Sequence, residues 1–161
     1  MPELSNPVPT SAHHIRKGGL IFMKGKPCKI TETATSKTGK HGHAKITYQG
    51  VDIFTGQKYS DVKPGHAVLM VPPMVKTEYT LCDIDAKEDT LDLMTEKGDQ
   101  LQLNFACGAE NSDAHPRFAE LNAAFDEGKD VLVTTITSCE EQGEGNYVNK
   151  EVFDSFKVAN N

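Results

Sequence analysis

Residues 35–45 hold the densest set of groups that could do chemistry, in the order Thr-Ser-Lys-Thr-Gly-Lys-His-Gly-His-Ala-Lys. Gly39 and Gly42 lie on either side of Lys40. Because glycine accepts positive φ and adds no side-chain bulk, the two glycines favour a tight turn with Lys40 unshielded at its apex. A lysine presented in this way could contact RNA or serve as the substrate of a modifying enzyme.

Three other interpretations of this segment are a solvated basic loop, a phosphate-binding P-loop and a metal site. The Gly-Lys dipeptide suggests a P-loop, but the first glycine of the GxxxxGK[ST] motif is missing and His41 stands where Ser or Thr is required. His41 and His43 could ligate a metal with a histidine from residues 13–14, but no cysteine or carboxylate is placed to complete the set. The residues alone leave the solvated loop and the presented lysine open.

The segments on either side of this loop are predicted to form the strands of a small barrel. Alternating or β-branched segments broken by glycine or proline predict five strands, at residues 20–23, 28–35, 44–54, 58–62 and 67–71. The basic loop connects the second of these strands to the third as a β-hairpin. This arrangement predicts a barrel domain over residues 12–73. Residues 1–11 contain three prolines and no periodicity, which predicts a flexible tail.

A proline pair at residues 72–73 separates this half from a second β-rich half. Period-two alternation is clearest at residues 100–105, where leucine and phenylalanine share one side. Pro116 and Gly128 suit the two ends of a short helix at residues 116–126. The other predicted strands are 79–84, 90–94, 131–136 and 147–158, the last also compatible with a helix, and the predicted exposed loops are 106–115 and 140–146. This order of elements predicts an OB-fold domain over residues 74–161.

The net charge of −6 is divided unevenly along the chain. Residues 1–73 hold ten Lys or Arg and four Asp or Glu, a balance of +6, whereas residues 74–161 hold seven and nineteen, a balance of −12. Because a basic segment is attracted to polyanions, nucleic acid is the first partner to consider. The acidic half opposes indiscriminate binding.

Location and redox state follow from what the sequence lacks. No apolar stretch approaches the roughly 20 residues that span a bilayer, and no secretory signal is recognisable, so we expect no membrane partner. A cytoplasmic location, with the nucleus as a second compartment, is therefore expected. The cysteines form no CxxC pair, which predicts reduced thiols; they are Cys28, Cys82, Cys107 and Cys139.

A non-enzymatic function is predicted, because the sequence contains no convincing nucleophile–base pair, GxSxG motif or nucleotide-binding loop. No metal site or other cofactor is predicted. The acidic residues between positions 83 and 92 are interpreted as a solvated turn rather than a cation site. A general RNA-binding module and a metal-dependent hydrolase are the alternatives to the function given below.

Residues 36–45 resemble the signature loop of the eukaryotic translation initiation factor 5A family, the hypusine-containing translation factors. The similarity continues at residues 16–19, 24–30 and 51–59, and it spans about residues 12–73. The resemblance implies an all-β chain with a minor helix, in which an N-terminal SH3-like barrel precedes a C-terminal OB-fold barrel.

The resemblance also implies a modification site and partners. Lys40 would be the residue converted to hypusine, by deoxyhypusine synthase, which transfers an aminobutyl group from spermidine, and then by deoxyhypusine hydroxylase. The factor would bind the ribosome near the E site and direct this side chain toward the acceptor end of P-site tRNA, relieving stalling at proline runs and assisting termination. The residues expected to hold the loop on RNA are Lys37, Gly39, His41, Gly42, His43 and Lys45.

Overall fold

The computed structural model describes residues 1–38, 43–85, 87–88, 90–104 and 118–159. The predicted all-β fold with a minor helix is confirmed, since these residues form eleven strands and one α-helix. The strands of the N-terminal half are β1 (Val8–Ser11), β2 (Leu20–Met23), β3 (Lys26–Thr38), β4 (His43–Asp52), β5 (Lys58–Pro64) and β6 (Val68–Val71). Those that follow are β7 (Val75–Asp85), β8 (Thr90–Met94), β9 (Gln100–Asn104), β10 (Val131–Glu141) and β11 (Tyr147–Val158), with helix α1 (Phe118–Asp126) between β9 and β10.

The chain packs into two compact units. The first consists of Glu3–Met74 and Ser138–Lys150, and the second of Val75–Thr137, Glu151 onward and the first two residues. The first unit therefore includes a segment that contains the end of β10 and the start of β11, two strands of the second unit's sheet. The contacts between this segment and the rest of its unit include the stacked rings of Phe22 and Tyr147, 5.5 Å apart, and a hydrogen bond of 2.6 Å from Ser138 Oγ to Pro73 O.

The first unit is an SH3-like barrel. Strands β2-β3-β4-β5 form an antiparallel sheet in that order, and β1 pairs with β6 in a two-stranded ribbon. Alternating side chains of these strands enclose one core cluster, whose buried members are Ala12, Ile15, Ile21, Met23, Cys28, Ile30, Ile46 and Tyr48. Strand β1 differs from the expected flexible tail, because Val8–Ser11 find hydrogen-bonding partners along β6.

The second unit is the OB fold. Its sheet has the order β11-β10-β7-β8-β9, and the leucines that alternate along β8 and β9 point into the core, as the period-two pattern predicts. Helix α1 buries Leu121 against this cluster. The predicted helix start at Pro116 and the predicted loop at 106–115 lie outside the described residues. In the part of the chain that the structure describes, no helix is long and apolar enough to cross a membrane.

The three cysteines within the described residues are free thiols: Cys28 and Cys139 are buried and Cys82 is exposed. Burial, with a smaller contribution from the neighbouring Asp52 carboxylate, raises the pKa of the Cys28 thiol to about 11. Burial also raises the pKa of Cys139. The two buried thiols therefore stay protonated at neutral pH and pack as small apolar groups.

A two-residue turn, Lys24-Gly25, joins β2 to β3, and both residues have positive φ, at 53° and 80°. Gly25 O accepts the Glu141 N–H at 2.8 Å, and a Cβ added to Gly25 would lie 2.5 Å from Glu141 O. This turn needs glycine for two reasons, its backbone conformation and the close approach of another strand.

Gly25→Ala should therefore destabilise the protein more than Gly56→Ala does. Gly56 has a similar φ of 79° but nothing within 4 Å of an added Cβ, so its variant carries only the conformational cost, about 1–2 kcal/mol. We expect Gly25→Ala to cost about 1–2 kcal/mol more, as for an overpacked site, in the free energy of unfolding by urea. Equal losses in the two variants would contradict the close contact.

Candidate functional site

The β3–β4 hairpin carries the residues that the sequence singles out. Its two strands pair in antiparallel register down to Lys37↔Ala44 and Thr38↔His43. Four residues, 39–42, connect the last pair. Gly39, Lys40, His41 and Gly42 lie outside the described residues, so their assigned roles stay predictions.

The distal part of the hairpin is a two-stranded ribbon. On one side, β5 pairs with β4 only as far as Lys45↔Pro64. On the other side, β2 pairs with β3 only as far as Leu20↔Lys29. Residues 31–36 of β3 are all exposed. The connection at residues 39–42 thus follows a stem whose last two residue pairs, Lys37↔Ala44 and Thr38↔His43, extend past both flanking strands.

The base of the stem is fixed to the barrel core. Ile46 and Tyr48 of β4 are buried, and the Tyr48 hydroxyl donates a hydrogen bond to Ala12 O at 3.3 Å. Burial raises the pKa of Tyr48, so the hydroxyl remains a donor at neutral pH. Gly65 N–H donates to Ala44 O at 2.8 Å, and the missing side chain lets the turn after β5 approach Ala44. The stem is therefore held by packing on one side and by a backbone contact near its end.

The candidate loop residues that the structure describes lie on this stem. Lys45 is exposed and pairs with Ser36 of β3. Lys37 is the penultimate residue of β3, opposite Ala44, and His43 is the first residue of β4, opposite Thr38. The structure thus brings three of the predicted basic residues to the end of one ribbon, next to the connection that contains Lys40.

A buried carboxylate lies in the same unit. Glu140 Oε2 accepts a hydrogen bond from Lys26 Nζ at 2.9 Å, and Glu140 Oε1 accepts one from Lys150 Nζ at 2.8 Å. Only 5% of the Glu140 side chain is exposed. We call these three residues the Glu140 triad. Burial alone would raise the pKa of Glu140, but the hydrogen bonds from Lys150 and Lys26 outweigh it, so the pKa is lowered. The same hydrogen bond raises the pKa of Lys26. This triad ties the segment 138–150 to the first residue of β3, from which the hairpin begins.

The triad corrects one expectation. Residues 140–146 were expected to form an exposed loop, but Glu140 and Glu141 belong to β10 and Glu140 is buried. The prediction is wrong there because the acidic pattern of the segment is typical of solvated turns. Its partner Lys26 is 114 residues away in the sequence, so no local signal marks the pair.

Both halves of the chain match translation-factor families. The family model "Translation initiation factor 5A-like, N-terminal" matches residues 5–67, and "Eukaryotic elongation factor 5A hypusine, DNA-binding OB fold" matches residues 74–144. The chain is 43% identical over 134 residues to eukaryotic translation initiation factor 5A-2 of Saccharomyces cerevisiae, covering 83% of this chain and 80% of that protein. It is 40% identical over 141 residues to initiation factor 5A-2 of Arabidopsis thaliana, covering 86% and 83%.

Solved structures agree with this match. An initiation factor 5A family protein from Naegleria fowleri superposes with a TM-score of 0.75 at 37% identity, covering 95% of this chain and 99% of that one. The initiation factor 5A of Methanococcus jannaschii superposes with a TM-score of 0.59 at 21% identity, covering 94% and 98%, which shows the shared fold.

An SH3-like barrel with a long basic hairpin, followed by an OB fold, defines a two-domain translation factor. The chain belongs to the eukaryotic translation initiation factor 5A family.

Proposed function

We propose that this factor binds the ribosome near the E site and that hypusinated Lys40 positions the acceptor end of P-site tRNA. It thereby promotes peptide-bond formation at stalling sequences such as proline runs, and it assists termination. The observation that carries the proposal is the two-stranded stem whose last pair, Thr38↔His43, encloses the four-residue segment containing Lys40. The factor itself is not an enzyme and contributes no catalytic group.

Positioning alone is sufficient for such an effect. Proline fixes φ, so a peptidyl-prolyl end and a prolyl acceptor approach each other poorly. Correct orientation of two reactants can lower a barrier by about 7–11 kcal/mol in favourable cases, so a partial gain is enough to relieve a stall. The side chain that performs this positioning must be long, thin and cationic to enter the RNA-lined site of peptide-bond formation. Hypusine meets this requirement because it extends lysine and adds a second amine.

The basic residues of the stem suit a docking role. Lys37, Lys45 and His43 lie beside the connection, where they would contact phosphates in the salt-dependent manner of such contacts. Gly39 and Gly42, which carry no side chain, are expected to keep the tip narrow. The proposal requires deoxyhypusine synthase and deoxyhypusine hydroxylase as modifying partners, spermidine as the donor, and a cytoplasmic location, with the nucleus as a second compartment.

A general RNA-binding module that acts without the modification is the second candidate. The exposed Lys45, which forms no ion pair with any residue that the structure describes, favours it, because a free cation binds phosphate whether or not Lys40 is modified. The two candidates differ in whether unmodified protein is active.

Peptide mass spectrometry of the protein from its native source should find one aminobutyl group and one added oxygen on Lys40. The reason is that Gly39 and Gly42, which add no side-chain bulk, are expected to leave this amine open to the active site of the modifying enzyme. The same protein made in a bacterium that lacks the two modifying enzymes is the control and should carry neither group. Native protein with unmodified Lys40, made with spermidine available, would contradict the proposal.

A further inference from the structure

The outer face of the first unit's sheet is formed by alternate rows of β3, β4 and β5. Residues directly opposite each other in an antiparallel sheet share a face, and successive rows alternate. The row Cys28↔Asp52 and the row containing Ile30↔Gly50 face the core and are buried. The rows between and beyond them form what we call the outer face; they contain Lys29, Val51 and Lys58, then Glu32, Gln49 and Ser60, then Ala34, Thr47 and Val62, then Ser36, Lys45 and Pro64.

Two grooves run along this face and meet at Gln49. The larger has a volume of about 490 Å³ and is lined by Thr31, Gln49, Val51, Lys58 and Ser60, among others. The smaller, of about 260 Å³, continues from Gln49 past Thr47 toward the distal ribbon. Most lining residues carry a hydroxyl, amide or ammonium group, which can donate hydrogen bonds, and short aliphatic groups such as Val51 lie between them.

Uncompensated positive charge lies at both ends of the grooves. Lys29 and Lys58 flank Val51 in one row, and Lys45 lies six residues further along β4, about 20 Å away at the rise of a β-strand. Within the described ranges, none of these three lysines forms a salt bridge. The one carboxylate among the described residues of this face, Glu32, lines the smaller groove between these lysines, and its charge is partly offset by an exposed ion pair with Lys17, at 3.5 Å.

We propose that the outer face binds a single strand of RNA by its sugar-phosphate backbone, with Lys29 and Lys58 at one end of the tract and Lys45 at the other. This inference rests on the proposed function, since it adds a second RNA contact to the hairpin tip. Cations spaced along an elongated surface that also offers hydrogen-bond donors match a polyanion that carries regularly spaced phosphates and hydroxyls.

Two observations favour RNA backbone over a protein partner or over base recognition. The centre of a protein interface is apolar, whereas here Val62, 52% exposed, is the only large apolar side chain described as exposed on the outer face. Tyr59 contributes to the larger groove, but it packs against the core cluster and Lys24 Nζ lies 5.9 Å from its ring centre. No described ring is thus presented for base stacking, and binding should be independent of sequence.

Fluorescence anisotropy with a labelled oligouridylate tests this tract, using full-length protein made in a bacterium without the modifying enzymes. The double variant Lys29→Gln, Lys58→Gln should bind at least tenfold more weakly than wild type near 0.1 M salt. The slope of log K against log salt should fall in magnitude by about 1.4, because each phosphate contact to a single strand contributes about 0.7. Lys29→Arg with Lys58→Arg should retain wild-type affinity.

The matched control is Lys24→Gln with Lys63→Gln, which removes the same charge from the same unit but from residues outside both grooves. It should change affinity by less than about twofold. Gln49→Glu, which adds a negative charge where the grooves meet, should weaken binding as the first double variant does, and it keeps the test valid if that variant unfolds.

Equal weakening in the two glutamine doubles would overturn the proposal, because binding would then depend on net charge alone. Competition by polyglutamate as effective as that of unlabelled oligouridylate would also overturn it, in favour of an acidic protein partner. Because every protein in this assay has an unmodified Lys40, either result leaves the proposed role of hypusine standing. Conversely, failure of the Lys40 proposal would not change the affinities measured in this assay, so the two failures can be told apart.

Discussion

Lys40→Arg is expected to abolish the rescue of translation through proline runs while the protein still associates with ribosomes, if less tightly. Arginine keeps the positive charge and nearly the length of lysine, so electrostatic docking of the loop changes little. It cannot accept the aminobutyl group, because the transfer requires a lysine amine. The test is a reconstituted translation assay on a proline-run message, with both modifying enzymes and spermidine supplied, alongside sedimentation with ribosomes.

Lys37→Arg is the matched control for this experiment. It makes the same chemical change at the end of β3 but leaves the modifiable amine of Lys40 intact, so most activity should remain. Full rescue by Lys40→Arg would eliminate the modified-lysine mechanism and promote the general RNA-binding module. Loss of activity in both variants would show instead that lysine geometry throughout the hairpin end is required.

Glu140→Gln is expected to lower the stability of the first unit by about 2–3 kcal/mol, which is large for a change of one functional group. The variant removes the carboxylate between Lys26 and Lys150 and leaves two ammonium groups close together without a counter-ion. The loss should not reach the upper range for a buried pair, because 38% of the Lys26 side chain and 29% of the Lys150 side chain are exposed and can rehydrate. Hydrogen exchange of the β3 amides under native conditions measures the effect on this unit alone.

The pH dependence of this loss separates ion pairing from simple packing. Since the folded-state pKa of Glu140 is lowered, its contribution is present above about pH 4.3 and disappears as pH falls through the folded value. Since the pKa of Lys26 is raised, its contribution is present below about pH 10.4 and disappears as pH rises through the folded value. The difference between wild type and Glu140→Gln should therefore be greatest between about pH 5 and 10.

Glu144→Gln is the control for the stability experiment, because Glu144 lies only four residues beyond Glu140, in the connection between β10 and β11, but is exposed. It should change stability by less than about 0.5 kcal/mol. A difference between wild type and Glu140→Gln that stays constant down to pH 3 would show that the carboxylate acts by shape and not by charge.

Strands were predictable from the sequence where they alternate locally. Residues 100–105 place leucines on one face, and Leu103 is buried in β9 as that pattern requires. The hairpin was equally predictable, since two glycines in a basic segment lie between β-branched strands. In both cases the information lies within about ten residues, the range over which period and turn chemistry act.

Features that depend on distant contacts were not predictable. Val8–Ser11 contains proline and shows no alternation of apolar and polar residues. It forms a strand only because it pairs with β6, about sixty residues later in the sequence. The local sequence around Glu140 indicates a solvated acid, because the two lysines that pair with it, Lys26 and Lys150, are brought beside it only by the fold. The outer-face tract was hidden for the same reason: Lys29, Lys58 and Lys45 lie on three different strand segments, and only the register aligns them.

Because the first unit is built from two separate segments of the chain, its folding depends on the order in which they are synthesised. Ser138–Lys150 belong to the unit that begins at Glu3, but the 63 residues Val75–Thr137 are translated before them. At about 5–20 residues per second, that interval lasts about 3–13 s. During it, the Lys24-Gly25 turn and Lys26 have no Glu140 or Glu141 to meet. A barrel that comes first in the gene is thus completed late, and the nascent chain carries its basic hairpin on an unfinished scaffold for several seconds.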